Sequence, residues 1–202
     1  MRKDFKDPMR KLGGDLSRGA LCHSLSDKGD FILGGHVQVI KWYGKVGASD
    51  SEVVLSNDNL IVTMARKVMS RLVAGVINSP TIDVSGSPVT VTNASQLIIT
   101  QMRWGTAGHN PSNPTEPVPP TADNINLGAT LASPTFKAVT VDYPTTTSVR
   151  FAASLEQSEA NGQGLSEEGL FSTDGFMFAR KTFGILTKTS DFSFQFLHSI
   201  LF

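Results

Sequence analysis

Four histidines, one cysteine and a cluster of glutamates are the side chains of this 202-residue sequence best suited to chemistry. His23, His36, His109 and His198 lie far apart, and none has the H-x-H or H-x-x-x-H spacing that aims two imidazoles at one metal ion. Cys22 stands alone, which excludes a disulfide scaffold and a cysteine-built metal site. Glu156, Glu159, Glu167 and Glu168 offer the paired carboxylates a glycosidase needs, but four carboxylates around a turn region read more simply as solvated surface charge. There is no G-x-S-x-G nucleophile elbow and no G-x-x-x-x-G-K-[ST] phosphate loop. Gly162, Gly164 and Gly169 miss the dinucleotide-binding spacing and suit turns. The sequence therefore predicts no catalytic, cofactor-binding or metal-ligating residue and no cofactor, and the chain reads as a non-enzyme. His198 takes the place of an apolar residue in an alternating strand and is expected to be half-buried and hydrogen-bonded. Trp42, Tyr43 and Trp104 can stack on a sugar or a base if exposed, whereas strand tryptophans more often pack in a core.

The elements that must position these residues are mostly strands. Residues 36–43 are β-branched and aromatic between glycines, and residues 97–104 form a second strong run. Pro80 and Pro88 punctuate shorter runs at Thr81–Val84 and Val89–Thr92. Strands resume at Phe136–Tyr143 and Ser148–Glu156, and Gln157–Gln163 is a turn region. Glu168–Thr173 and Phe176–Thr182 flank Asp174-Gly175, a hairpin signal in which both turn residues are expected at positive φ. Residues 191–202 alternate with period two, and eight of the twelve phenylalanines fall within 171–202, which predicts that this region forms the core.

One helix is expected over 57–74, capped by Ser56 or Asn57 and stopped by Gly75. Leu60, Met64, Val68 and Leu72 form its apolar stripe, which either packs on a sheet or binds a partner. Residues 105–124 hold five of the ten prolines and predict a long extended loop, polyproline-like near Pro117 to Pro120, that reaches a neighbouring subunit. With no βαβ alternation, the pattern predicts an antiparallel β-sandwich or barrel-like sheet of about eight strands, a single domain over 36–202 with one packed helix, preceded by an extended arm over 1–35.

The C-terminal third carries a resemblance. It runs from Glu156 through Glu159-Ala-Asn-Gly162, Ser166-Glu167-Glu168-Gly169-Leu170-Phe171, Asp174-Gly175 and Phe178-Ala179-Arg180 to Phe183, Lys188 and the terminal strand Phe192 to Phe202. This order resembles a pattern of structural proteins of tailed bacteriophages, and the stretch from Asn59 to Leu72 resembles the early part of such chains. The resemblance covers roughly 55–75 and 135–202. It implies turn roles for Gly169 and Gly175 and core roles for Phe171, Phe178 and Phe183. Arg180 and Lys188 are left to bond backbone or a neighbour, and no catalytic residue is implied. The expected function is that of a multi-copy tail, baseplate or neck component, located in the virion and assembled in the host cytoplasm. The alternatives are a capsid decoration protein and a carbohydrate-binding host-recognition module.

Composition bears on partners. Lys+Arg and Asp+Glu are 18 each, and charged residues make up only 18% of the chain. Phosphate neutralisation needs a basic excess, so a bulk nucleic-acid binder is not expected. Weak net charge favours association and suits a homo-oligomer or a subunit joined to other virion proteins, although it fits a neutral monomer as well. No apolar run of membrane-spanning length and no secretory signal is read, so no membrane partner is expected. The candidate partner-binding residues are Arg2, Lys3, Lys6, Arg10 and Lys11 in the arm, with Pro117, Pro119 and Pro120 in the loop. The arm is either a segment that orders against a partner or a loose terminus.

Overall fold

The computed structural model describes residues 34–74, 82–84 and 87–202. The arm, with its five basic candidates, Cys22 and His23, lies outside the described residues up to position 33. Gly34 and Gly35 already belong to the first strand. In chain order the elements begin Gly34–Trp42 (β1), Ser51–Asp58 (β2), Leu60–Ile61 (β3), the helix Thr63–Ala74 (α1), Ile82–Val84 (β4) and Ser87–Val89 (β5). They continue as Ile99–Gly105 (β6), His109–Asn110 (β7), Asn113–Pro117 (β8), Lys137–Ala138 (β9) and Thr140–Thr145 (β10). The last four are Ser148–Leu155 (β11), Gly164–Ser172 (β12), Met177–Thr187 (β13) and Ser193–Leu201 (β14).

Two five-stranded antiparallel sheets make a β-sandwich-like body. One has the order β10-β11-β14-β1-β2 and the other β3-β13-β12-β6-β9. Neither closes on itself, so the barrel-like alternative gives way to two open sheets. Among the described residues there are fourteen strands against the expected eight, because several pairings are only two or three residues long.

The sheets meet through aromatic side chains. Phe196 of β14 lies 5.3 Å from Trp104 of β6 and 6.4 Å from Phe183 of β13, centroid to centroid. Phe171, Phe176, Phe178, Phe183, Phe192, Phe194 and Phe196 are all buried. Each contributes about 1.5–3 kcal/mol by leaving water, so the expected C-terminal core is the actual one. Phe202 differs: its side chain is 52% exposed, while its N–H donates to the Thr147 carbonyl and ties the strand end down.

The helix is shorter than expected. Residues 51–58 pair with β1, and Leu60-Ile61 pair with Arg180 and Ala179 of β13, so Ser56 and Asn57 belong to a strand rather than a cap. The reason is that Val53 and Leu55 pair with Ile40 and Val39 of β1 across a β-bulge, and pairing there satisfies more backbone groups than a lone extra helical turn would. Met64, Ala65 and Val68 form the buried stripe, while Leu72 is exposed. The stripe packs into the protein's own core.

The Pro-rich segment also differs from expectation. It folds back as a β7–β8 hairpin, with Val118 N–H donating to the Gly108 carbonyl. The hairpin lies against β13, where a Cβ at Gly184 would sit 2.5 Å from the Thr115 carbonyl oxygen. Alternating prolines forbid a central strand but tolerate this exposed ribbon, whose proline nitrogens need no ladder partner. Pro117 and Pro119 are exposed and Pro120 is half-buried.

The β12–β13 connection is a hairpin as expected, with a different turn. Ser172 N–H donates to the Phe176 carbonyl, and only Gly175 takes a positive φ, at 86°. This three-residue loop needs one left-handed residue at its end, not two at its centre.

Candidate functional site

The carboxylates expected at the surface divide in two. Glu156 is exposed and Glu159 pairs with Lys137. Glu167 and Glu168 are fully buried. As neighbours on one strand they point to opposite faces, so they do not form a glycosidase-like pair across a common cleft.

Glu167 lies beneath the chain segment that follows β6. Its Oε1 accepts from Ala129 N–H at 3.0 Å and Ala107 N–H at 3.3 Å, and its Oε2 accepts from Gly128 N–H at 3.0 Å. Arg180 donates to Oε2 through Nε and Nη2 at 3.1 and 2.6 Å, and through Nη1 to Asn124 at 2.7 Å. Burial pushes the Glu167 carboxyl up, but the Ala129 and Gly128 N–H groups and Arg180 together outweigh it and hold the group below its ordinary range. One carboxylate thus anchors a long irregular segment onto the sheet. Gly105 and Gly108 permit the approach, since a Cβ at either would collide with Glu167 or the Ser166 backbone.

Glu168 points into the sandwich. His198 Nδ1 donates to Glu168 Oε1 at 2.8 Å, and Asn59 Nδ2 donates to His198 Nε2. The Nδ1–H tautomer satisfies both contacts, because a carboxylate can only accept. His198 is fully buried rather than half-buried, and it bridges the two sheets. Asn59 rests on the backbone of Gly35, where any Cβ would overlap its amide. Glu168 Oε2 and Trp104 Nε1 are buried without a hydrogen-bond partner.

Lys188 is also buried. It donates to the carbonyls of Thr189 at 2.6 Å and Gln157 at 3.4 Å and to Asn161 Oδ1 at 3.2 Å, closing the 157–163 turn. Desolvation lowers its pKa against the opposing pull of Glu159, Glu156 and Asp191. Arg180 and Lys188 therefore bond within the chain. The remaining described histidines are separate, His36 near Asp58 and Ser56, His109 beside the buried hydroxyl of Ser166. Among the described residues, no three His, Cys, Asp or Glu side chains converge as metal ligands would.

The two tryptophans part company. Trp104 is fully buried and cannot serve as a binding platform. Trp42 lines a groove of about 670 Å³ on the outer face of the β10-β11-β14-β1-β2 sheet. Its Nε1 donates to Gln195 Oε1 at 3.3 Å. Ile40 and Leu197 floor the groove beside it. Arg150 and Asp142 form a two-pronged ion pair at the far side, Nε to Oδ1 at 2.9 Å. The buried Glu–Arg and Glu–His pairs left no periodic signal, since Glu-Glu in a strand reads as surface. The one clue is Arg180, placed directly after the apolar run Phe176–Ala179. The chain matches no family model, no curated protein and no solved structure.

Proposed function

We propose that the chain is a non-enzymatic structural protein of a tailed-phage virion, a multi-copy tail, baseplate or neck component that joins other virion proteins. The observation that carries this reading is what the residues of the resemblance do. Gly175 serves a turn, whereas Gly169 lies within β12 between Arg180 and Arg103 and serves none, and Phe171, Phe178 and Phe183 fill the core. Glu167, Glu168, Arg180 and Lys188 are engaged in internal bonds that leave no aligned nucleophile and base. The bonds of Glu167, Arg180 and Lys188 fasten irregular segments onto the sheets, as suits a stiff scaffold. A rigid sandwich with an exposed proline ribbon suits contacts with neighbours. Pro117, Pro119 and Pro120, with Arg2, Lys3, Lys6, Arg10 and Lys11, are the candidate contact residues.

Mass spectrometry of purified particles of the encoding phage, with immunogold negative-stain microscopy, tests this. The expected result is the protein in the particle with label at neck, tail or baseplate. Label spread over the head would replace the reading with a capsid decoration protein, and absence from purified particles would overturn it.

A further inference from the structure

We propose that the outer face of the β10-β11-β14-β1-β2 sheet is a binding site for a neutral oligosaccharide, with Trp42 as its aromatic platform. The groove crosses the strands rather than following one. Its residues are the outward members of successive cross-strand pairs: Asp142 faces Arg150, Ala152 faces Leu197, Gln195 faces Ile40 and Trp42 faces Ser51. Four interstrand steps of about 4.8 Å give it a length of about 19 Å, suited to an extended chain of sugar rings. Its volume of about 670 Å³ lies within the ordinary range of ligand pockets.

The chemistry of the lining selects the ligand. A sugar ring has a C–H face that packs on an indole and an edge of hydroxyls that seek planar polar groups. Trp42 is half-buried and fixed at its edge by Gln195, so it is a rigid platform that loses little freedom on binding. Arg150 and Asp142 hold each other in place and retain unused donor and acceptor positions for hydroxyls. Their charges cancel, so the groove complements a neutral ligand and offers no net field to an acidic or basic one. An added peptide strand needs the backbone groups of a sheet edge, whereas this groove lies over side chains on the face of the sheet. A second copy laid face to face would bury the Asp142–Arg150 pair at a desolvation cost.

The site goes beyond the assembly role and does not depend on where in a particle the protein sits. Full-length protein on an array of neutral, sialylated and sulfated oligosaccharides tests it. Binding to neutral glycans is expected, with a loss of about tenfold or more in Trp42→Ala. Ala152→Trp keeps Trp42 but fills the floor, and is expected to abolish binding while the thermal melt is retained. If Trp42→Ala does not fold, Ala152→Trp decides alone. A blank array, binding confined to charged glycans, or binding unchanged by the filling variant overturns the proposal. So does a dimer, measured by sedimentation, that Ala152→Trp dissolves without any glycan being bound. Particle mass spectrometry is unaffected by these results, so failure here is distinct from failure of the virion reading.

Discussion

Glu167 shows how a residue that looks superficial can organise a fold. Its carboxylate accepts three backbone N–H bonds and two from Arg180 while fully buried. Glu167→Gln removes the charge that balances Arg180, and breaking a buried pair in this way costs roughly 3 kcal/mol, to be read by urea denaturation. The pH dependence has a defined sign. The folded group is held below its ordinary value of 4.5, so its contribution is fully present above that pH and is lost as pH falls through the folded value. Wild type should therefore lose stability more steeply in acid than Glu167→Gln, and the two curves should converge. Parallel curves would show that the carboxylate has no such linkage. This residue was not legible in the sequence. Adjacent glutamates suggest a wet turn, and only the segment at 106–131 folding over the strand makes the outward one buried.

Elements were more legible than their ends. The terminal strand, the β12–β13 hairpin and the phenylalanine core follow from alternation and turn residues that act locally. The helix start did not, because residues 57–61 fit both a helix and a strand register, and the neighbouring β1 and β13 decide between them. The fold of the Pro-rich segment is hidden in the sequence for a related reason: its docking depends on Gly184, 60 or more positions further on, having no side chain. Gly184→Ala should lift the β7–β8 hairpin off β13. Limited proteolysis is expected to cut within 109–117 faster in the variant while the rest of the body survives. Equal cutting rates would mean that the hairpin is held by something other than this close approach. Trp42 and Trp104 were equivalent as sequence, and only their faces separate platform from core.

At the scale of the molecule, the neutrality of the composition has a structural counterpart. Many of its charges are spent in pairs: Glu167 with Arg180, Asp142 with Arg150, Glu159 with Lys137, Glu52 with Lys41. The middle of the β10-β11-β14-β1-β2 sheet is the antiparallel pair β1 and β14, which brings together residues such as Trp42 and Gln195, 153 positions apart. A pairing of that span must close a large loop before any contact rewards it, so refolding after rapid dilution from denaturant should be slow, on the order of milliseconds to seconds, as in other sheet-rich domains. A microsecond phase accounting for the whole signal would contradict it. During synthesis the same geometry imposes a wait. β1 can pair at once with β2, but its other partner β14 comes last, and until the strands of the opposing sheet have emerged the apolar face of Val37 and Val39 has no cover. A chaperone that shields a short β-branched strand is therefore the helper this fold would need most.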